Sequence, residues 1–375
     1  MERKMFISAE GKKQLHNYSF RGEDHSFCAN YILAPYLWEP LLQKYIPRYI
    51  APNILTTLGF VSMALCWVIT AFVLPTGLEE MPRYLYVLMA LFIFLYQIAD
   101  NIDGRQARRT HNATPLGELF DHGNDSIMIG IFALFVVLCL HVSTTLTLIV
   151  LLMLYLVFFL SHWEEYHTGV LILNALLNPT ELQLIMIAVL IVEAIYPGVM
   201  DLVIFGLQVN TTIAYCTILG AFLAFLFYSF NVYKLVTTTK MCRFSKSVTR
   251  LTPFLLFFFT MAILFVFANE TYLQQNFQKV TAITILVNAY ITQRIILNRI
   301  CKEEVDLFYY INIIFCVFVT LVLLASVGMT WINASLLTTV MLIISIAQEI
   351  VFAISVARTI CSEIGIRVWM VKIDE

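Results

Sequence analysis

The sequence predicts an all-α, polytopic integral membrane protein, because it is strongly apolar and its apolar runs recur to the C-terminus. Of its 375 residues, 60% are hydrophobic and 13% are charged. Runs such as LGFVSMALCWVITAFVL and YLYVLMALFIFLYQIA approach the roughly 20 residues that a helix needs to cross a hydrocarbon core. Only helices satisfy every backbone polar group within one lipid-facing segment. The runs predict about ten transmembrane helices, at residues 54–76, 82–103, 118–140, 144–163, 182–198, 211–234, 251–268, 279–299, 305–328 and 332–357.

An aromatic segment precedes the first span. Residues 28–50 are amphipathic and interrupted by proline, so we expect an N-terminal interfacial amphipathic helix lying along the membrane. The polar residues before it lack the apolar core of a cleavable signal peptide. We therefore divide the chain into a cytoplasmic N-terminal and interfacial segment (1–53), a transmembrane domain (54–357) and a cytoplasmic C-terminal tail (358–375).

Lysine and arginine are concentrated in the N-terminal region and in alternate connections, which sets the orientation of the spans. The basic connections contain Arg105, Arg108 and Arg109; Lys240, Arg243, Lys246 and Arg250; and Arg294, Arg299 and Lys302. We expect these connections and both termini to face the cytoplasm, and the sequons at Asn210 and Asn269 to lie on the opposite side. The net charge of −2 provides no basic field for nucleic acid, and the eight cysteines have no metal-site spacing.

A charged stretch between the second and third spans contains regularly spaced acids. Asp100 and Asp103, at i and i+3, share one helix face, and Gly117, Asp121 and Asp125 share one face of the next helix. A short connection makes the two helices antiparallel neighbours, so we expect four carboxylates to converge at their cytoplasmic end. Unpaired, such carboxylates would repel one another. Oxygen ligands favour Mg²⁺, Mn²⁺ or Ca²⁺, and two ions about 4 Å apart can hold the oxygens of a phosphoryl transfer.

The residues beside these acids fit a phosphate-bearing substrate. Gly104 and Ala107 remove bulk next to the acids of the second span, and Gly117 does the same on the third. Arg108 has the planar guanidinium that pairs with phosphate oxygens. The sequence therefore predicts a phosphate site next to the acids.

The pattern Asp100-x-x-Asp103-Gly104-x-x-Ala107-Arg108, followed by Gly117-x-x-x-Asp121-x-x-x-Asp125, resembles the signature of the CDP-alcohol phosphotransferase family. DGRQARRT and PLGELFDHGND are similar to the eukaryotic choline/ethanolamine phosphotransferase branch, as are APNILTTLGF, SHWEEYHTG and NPTELQL. The resemblance implies transfer of phosphocholine or phosphoethanolamine from CDP-choline or CDP-ethanolamine to diacylglycerol, which releases CMP and forms phosphatidylcholine or phosphatidylethanolamine. It also implies a homodimer in the membrane of the endoplasmic reticulum or Golgi.

The resemblance also implies roles for the signature residues. The metal ligands are Asp100, Asp103, Asp121 and Asp125, which hold two Mg²⁺ ions, with Mn²⁺ as a substitute ion. The residues that contact the substrate are Asn53, Asp100, Asp103, Gly104, Ala107, Arg108, Gly117 and Glu118.

Two residues compete for the role of general base. The family assigns it to the last acid, Asp125, yet a carboxylate bound to metal ions is a poor proton acceptor. His122 borders the same helix face, and Glu118, four residues earlier, is placed to orient its imidazole. An imidazole suits removal of a proton from the glycerol hydroxyl. We favour His122 assisted by Glu118 over Asp125.

Other interpretations of the same residues remain open. A cation transporter would place acids near the bilayer midplane on broken helices, and a relative with a soluble acceptor, such as inositol or glycerol phosphate, would need a further polar pocket. The sequence does not separate choline from ethanolamine. We read the stretch from His162 to His167 as an interfacial Trp among solvated acids, with a role at the site as the alternative. Glu193 and Glu349 lie in apolar runs with no assigned role.

Overall fold

The structure, a computed structural model, describes residues 6–173, 178–240, 243–329 and 333–371. Helices make up most of this part of the chain. The α-helices are α1 (Ala9–Leu15), α2 (Glu39–Tyr45), α3 (Pro52–Val73), α4 (Arg83–Arg109), α5 (Pro115–Leu140), α6 (Thr144–Thr168), α7 (Pro179–Ile195), α8 (Val209–Thr239), α9 (Phe244–Thr249), α10 (Thr252–Phe267), α11 (Glu270–Gln275), α12 (Phe277–Ile300), α13 (Tyr310–Ser326) and α14 (Ala334–Ile364).

Four short strands and two other helical segments complete the described elements. The strands β1 (Gly22–Asp24) and β2 (Leu171–Leu173) pair in parallel. The strands β3 (Val203–Ile204) and β4 (Leu207–Gln208) form an antiparallel pair. A π-helical segment spans Ala29–Trp38, and a 3₁₀ turn spans Val199–Asp201.

Each of the ten predicted spans coincides with a helix. Seven of these helices, α3, α4, α5, α6, α8, α12 and α14, are long and apolar enough to cross a membrane. The apolar helices α10 and α13 are shorter, with 16 and 17 residues, and α7 also has 17. The all-α polytopic membrane fold is confirmed, and the count of ten spans stays a prediction.

Helix α4 continues beyond residue 103, where we expected the second span to end. It runs to Arg109, and the chain then turns through His111, which has a positive φ of 53°. Arginine, glutamine and alanine are good helix formers, and nothing between Asp100 and Arg109 is a proline. The first half of the signature therefore lies entirely on α4. Helix α14 likewise passes the expected end at residue 357 and reaches Ile364.

Helix α5 begins where its sequence predicts a helix start. The Thr114 side chain accepts a hydrogen bond from the Gly117 backbone N–H at 3.0 Å, and Pro115 occupies the first helical position. Proline is tolerated there because the first-turn N–H groups have no partner within the helix. This start fixes which face of α5 carries the acids.

The segment expected to lie along the membrane is helical, but it is divided in two. The π-helical segment contains Pro35, and α2 follows it and ends before Pro47. Trp38 is fully buried, whereas Tyr36 and Tyr49 are more than 70% exposed. Aromatic side chains of this kind are typical of membrane interfaces. Its position along the bilayer stays a prediction.

Three residues of the RQARR stretch hold this segment against α4. Arg105 pairs with Glu39 at 2.6 Å. Gln106 donates to the carbonyls of Pro47 and Ile50, and Arg109 donates to those of Leu42 and Ile46. These bonds engage carbonyls at the end of α2 and in the irregular chain that follows it. Arg105 and Arg109 thus have a structural role, and their contribution to membrane orientation stays a prediction.

Helix α12 forms the centre of the molecule and contacts α5, α6, α10 and α14. Almost all of its residues are buried. Its contact with α5 is close at Gly130, where an added Cβ would lie 2.6 Å from Cγ1 of Ile285. Glycine is required at this position because the two helices approach too closely for a larger side chain.

We expect Gly130→Ala to destabilise the protein by about 1–3 kcal/mol, because Ile285 is β-branched and cannot easily move away. Gly220→Ala on α8 is the matched control, since a Cβ there meets no atom within 4 Å. Alanine is the better helix former, so this change should be neutral or stabilising. Thermal unfolding of the detergent-purified protein measures both. Equal melting temperatures for Gly130→Ala and the wild type would contradict the prediction.

Candidate active site

The structure brings three acids of the signature together. Carboxylate oxygens of Asp100 on α4 and of Asp121 and Asp125 on α5 all lie within 4.8 Å of one another. The helical spacing places the two acids of α5 on one face, and the short connection between the helices turns that face towards α4. We refer to these three residues as the acid group.

The fourth acid, Asp103, lies beside this group. It is 3% exposed and accepts a hydrogen bond from the Thr56 hydroxyl of α3. It is close enough to Asp100 and Asp121 to interact with them electrostatically. Tyr96 holds Asp125 in a similar way, by donating its hydroxyl hydrogen bond to the carboxylate. Thr56 and Tyr96 were not anticipated from the sequence, since neither belongs to the signature.

The donor set fits a hard divalent cation. One oxygen of Asp121, Oδ1, is buried and has no hydrogen-bond partner. Within the described residues, none of the four aspartates forms an ion pair with lysine or arginine. Carboxylates that lie this close together and are partly buried repel one another, so the group needs a positive charge. Ligands that are all oxygen favour Mg²⁺ or a similar ion over zinc.

The small residues of the signature lie next to the residues expected to bind substrate. A Cβ added to Gly104 would meet Nη1 of Arg108 at 3.6 Å. One added to Gly117 would be 3.8 Å from Oδ1 of Asn53. Ala107 is partly buried on the same helix as Arg108. Gly104 thus lies next to Arg108, and Gly117 lies next to Asn53.

Asn53 has a second contact that the sequence did not indicate. Its amide nitrogen donates a hydrogen bond to the backbone carbonyl of Val368 at 2.8 Å. The C-terminal segment also places Trp369 against Phe120 of α5, with ring centroids 5.6 Å apart. One of the two amide hydrogens of Asn53 is therefore engaged by the protein, and the other has no partner among the described residues.

A polar cavity of about 500 Å³ lies beside Arg108. Its lining includes Glu39, Arg48, Arg105, Arg108 and Arg109. Within the described residues, the Arg108 side chain forms no hydrogen bond and no ion pair. Guanidinium groups that surround a cavity favour an anion such as phosphate.

His122 is buried at the edge of the acid group. It is 9% exposed, and its Nε2 lies 4.0 Å from Oδ2 of Asp121. The other ring nitrogen, Nδ1, is buried and has no hydrogen-bond partner. The ring contacts His162 of α6, at a centroid distance of 5.4 Å, and Phe20 of the N-terminal segment. The pairing of β1 with β2 holds that segment over the end of α6.

Glu118 does not orient His122 by direct contact, contrary to our expectation. In the described part of the chain its carboxylate pairs with Arg299 of α12 and accepts a hydrogen bond from Tyr18. Helical spacing brought Glu118 and His122 to one face, but a guanidinium is a stronger partner for a buried carboxylate than a neutral imidazole. Burial raises the pKa of the Tyr18 phenol well above its ordinary value, so Tyr18 stays a donor.

The stretch from His162 to His167 is buried, so its interpretation as solvated acids is wrong. Trp163, Glu164 and Glu165 are at most 2% exposed. Nδ1 of His162 lies 3.0 Å from Oε2 of Glu165, and Oε1 of Glu165 lies 3.3 Å from Nη2 of Arg299. The i, i+3 spacing of His162 and Glu165 was the available signal for this contact.

The two acids inside apolar runs both have partners in the structure. Glu193 accepts hydrogen bonds from the backbone N–H groups of Gly198 and Met200, so it caps the turn after α7. Glu349 of α14 interacts with Gln293 of α12, whose amide donates to the Gly123 carbonyl at 3.1 Å. Glu193 therefore has a structural role in the fold, whereas Oε1 of Glu349 is buried and has no hydrogen-bond partner in the described part of the chain.

Comparison with known proteins agrees with the signature. The CDP-alcohol phosphatidyltransferase family model matches residues 49–223. A CDP-alcohol phosphatidyltransferase class-I family protein of Dictyostelium discoideum is 31% identical over 371 residues, which cover 98% of this chain and 88% of that protein. The chain belongs to the CDP-alcohol phosphatidyltransferase family. The family assignment expected from the signature is confirmed.

Similar proteins with a named activity match over a shorter length. Choline/ethanolaminephosphotransferase 1 of Saccharomyces cerevisiae is 38% identical over 194 residues, 51% of this chain and 49% of that protein. Choline/ethanolaminephosphotransferase 1 of Arabidopsis thaliana is 35% identical over 180 residues, 47% of this chain and 44% of that protein. These matches therefore span about half of the named enzymes.

Proposed function

We propose that the protein is a metal-dependent membrane transferase that moves phosphocholine or phosphoethanolamine from CDP-choline or CDP-ethanolamine to diacylglycerol. The oxygen of the acceptor hydroxyl forms a bond to the phosphorus that carries the choline or ethanolamine. The bond from that phosphorus to the bridging oxygen of the diphosphate breaks, and CMP leaves. The observation that carries the proposal is the acid group of Asp100, Asp121 and Asp125, in a chain of this family.

Asp100, Asp103, Asp121 and Asp125 are proposed to hold two Mg²⁺ ions, for which Mn²⁺ can substitute. When bound, the ions neutralise negative charge on the diphosphate of the substrate. Thr56 and Tyr96 support this role because they fix the Asp103 and Asp125 carboxylates. The aspartates thereby also place the diphosphate relative to the other groups of the site.

The remaining signature residues are proposed to bind the CDP-alcohol. Arg108, at the cavity of about 500 Å³, contacts a phosphate oxygen. Asn53 donates its second amide hydrogen to the substrate. Gly104, Ala107 and Gly117 let the nucleotide approach the backbone of both helices. Glu118 acts indirectly, because its partners are Arg299 and Tyr18.

His122 is proposed to accept the proton of the acceptor hydroxyl. Its buried Nδ1 has no hydrogen-bond partner, and the ring borders Asp121. Asp125 is the alternative base. It is less suited to the role because it belongs to the acid group and already accepts a hydrogen bond from Tyr96.

The site is proposed to face the cytoplasm, with both termini on the same side. Glu304 pairs with Lys246 and Arg250, and Glu118 pairs with Arg299, so three basic connections meet at one end of the molecule. The hydrogen bonds from Lys246 and Arg250 keep the pKa of the Glu304 carboxyl below its ordinary value. A nucleotide substrate then arrives from the cytosol and a lipid acceptor arrives through the bilayer. We also propose that the protein resides in the membrane of the endoplasmic reticulum or Golgi and that it forms a homodimer.

We propose the division of the chain into an N-terminal and interfacial segment (1–53), a transmembrane domain (54–357) and a C-terminal tail (358–375). The interfacial segment is bonded to α4, and the C-terminal segment contacts Asn53. Both terminal regions therefore support the transmembrane domain. Helices α4 and α5 continue unbroken through the acid group, which is unlike the interrupted helices of ion-coupled transporters.

The decisive experiment is an assay of the purified full-length protein reconstituted with diacylglycerol and Mg²⁺. We expect CMP release and a phospholipid product from CDP-choline, from CDP-ethanolamine, or from both. Product formation should stop when Mg²⁺ is chelated and resume when it is restored. Inositol and glycerol phosphate, offered as acceptors with CDP-diacylglycerol, are the controls. A product from one of these acceptors and none from diacylglycerol would refute the proposed acceptor.

A further inference from the structure

A second cluster of metal-ligating side chains lies next to the acid group. Ligand atoms of His122 on α5 and of His162 and Glu165 on α6 all lie within 4.8 Å of one another. The proposed transfer reaction uses only His122. We refer to His122, His162 and Glu165 as the imidazole cluster, and its other two members have no role in that reaction.

The imidazole cluster is buried and partly assembled. Its members are 9%, 3% and 1% exposed, respectively. Nδ1 of His162 and Oε2 of Glu165 lie 3.0 Å apart, at hydrogen-bond distance, and two ligands on one tetrahedral ion with bonds of about 2.1 Å would lie about 3.4 Å apart. Nδ1 of His122 is buried without a hydrogen-bond partner. Two donors are therefore adjacent, and the ligand atom of His122 lies within 4.8 Å of both.

The surrounding charges allow a cation to enter. Arg299 is the cation next to the cluster, at 3.3 Å from Oε1 of Glu165. Its charge is shared with Glu118, which also pairs with it. Two carboxylates and one guanidinium leave one net negative charge beside two imidazoles. A divalent cation bound there is stabilised, because the two carboxylates already compensate the positive charge of Arg299.

The donor types differ between the two neighbouring clusters. The acid group has only oxygen donors, which suit Mg²⁺. The imidazole cluster has two nitrogen donors and one carboxylate, a set that suits Zn²⁺ and other late transition metals. Three protein ligands leave a fourth position for water.

We propose that His122, His162 and Glu165 form a transition-metal site that is separate from the acid group. At this site a nitrogen of His122 ligates a Zn²⁺ ion. This consequence rests on the proposed function: with its nitrogen ligated, His122 cannot accept a proton, so turnover stops. Added Mg²⁺ does not restore activity, because Mg²⁺ binds the acid group.

Cobalt binding tests the site without reference to activity. The full-length protein is purified in detergent with excess Mg²⁺ and titrated with Co²⁺, whose visible spectrum distinguishes tetrahedral from octahedral coordination. We expect one tetrahedral Co²⁺ per chain, which Zn²⁺ displaces. His162→Gln and Glu165→Gln should each weaken Co²⁺ binding by at least about tenfold. His167→Gln, one turn further along α6, should leave the binding unchanged.

The outcomes separate this proposal from the proposed function. Octahedral Co²⁺ that Mg²⁺ displaces would place the ion in the acid group and overturn the proposal. So would tetrahedral binding that survives both variants. If one variant does not fold, the other still decides the result, since each removes a different ligand. A protein that binds tetrahedral Co²⁺ but forms no lipid product would refute only the proposed function.

An activity measurement tests the consequence. At saturating Mg²⁺, Zn²⁺ should inhibit the wild-type enzyme, and Glu165→Gln should raise the half-inhibitory Zn²⁺ concentration by at least about tenfold. Each variant is compared with its own activity in the absence of Zn²⁺. Equal sensitivity of Glu165→Gln and the wild type would overturn the inhibitory role.

Discussion

We expect Asp121→Asn to eliminate lipid product formation, with a loss on the order of 10³-fold or more. The change keeps the shape of the side chain and removes its charge. Asp121 is a member of the acid group, and its buried Oδ1 has no hydrogen-bond partner among the residues that the structure describes. An amide there leaves only Asp100, Asp103 and Asp125 to hold the cations that the substrate diphosphate needs. The assay is CMP release over a series of Mg²⁺ concentrations.

The matched control for this change is Asp201→Asn. Asp201 lies in the connection after α7, where it accepts a hydrogen bond from Asn210. Loss of the Asp201 charge should leave both the activity and the Mg²⁺ requirement of the enzyme unaltered. Calorimetric titration of Mg²⁺ in the presence of the CDP-alcohol gives a second readout, and Asp121→Asn should weaken this binding. Activity of Asp121→Asn that approaches that of the wild type at ordinary Mg²⁺ would argue against the metal-binding role of the acid group.

We expect His122→Ala to lower kcat by about 10²–10⁴-fold, which is the usual contribution of a general base. Binding of the CDP-alcohol in the presence of Mg²⁺ should be retained, because the acid group and Arg108 are unchanged. The expected pattern is thus a loss of kcat with little effect on nucleotide affinity. Single-turnover assays and equilibrium binding measure the two quantities separately. His25→Ala, an exposed histidine beside β1, is the control.

Asp125→Asn decides between the two candidate bases. If His122 is the base, Asp125→Asn should weaken Mg²⁺ binding and turnover together. If Asp125→Asn keeps its Mg²⁺ affinity and loses turnover while His122→Ala remains active, the base is Asp125. The contact between Tyr96 and Asp125 makes the first outcome the expected one, since it holds Asp125 as a fixed ligand.

Much of the site follows from local sequence. Helical periodicity places Asp121 and Asp125 on one face of α5, and the short connection to α4 brings Asp100 to them. The Thr114 cap and Pro115 begin α5 in the register that this alignment needs. The long apolar helices follow from composition in the same way, because a lipid environment requires them. Helix ends were less well predicted: good helix formers carry α4 on to Arg109.

Side-chain partners within the site followed less directly from local pattern. Spacing along α5 favoured a contact between Glu118 and His122, yet Glu118 pairs with Arg299, which α12 supplies from far along the chain. From the positive-inside pattern we predicted only that Arg299 faces the cytoplasm. His162 and Glu165 were read as interfacial residues, although the N-terminal segment and α12 bury them next to His122.

The sequence by itself determined that this protein crosses a membrane and that it belongs to its family. It also predicted that four aspartates on two adjacent helices converge, and the structure groups three of them, Asp100, Asp121 and Asp125. The first conclusion follows from composition, and the others follow from spacing within one helix or across one short connection. Only the tertiary structure decided which buried charges neutralise one another and which donors surround His122. The physical reason is that buried charges pair with the strongest partner within reach, and packing of distant helices determines which partners are within reach.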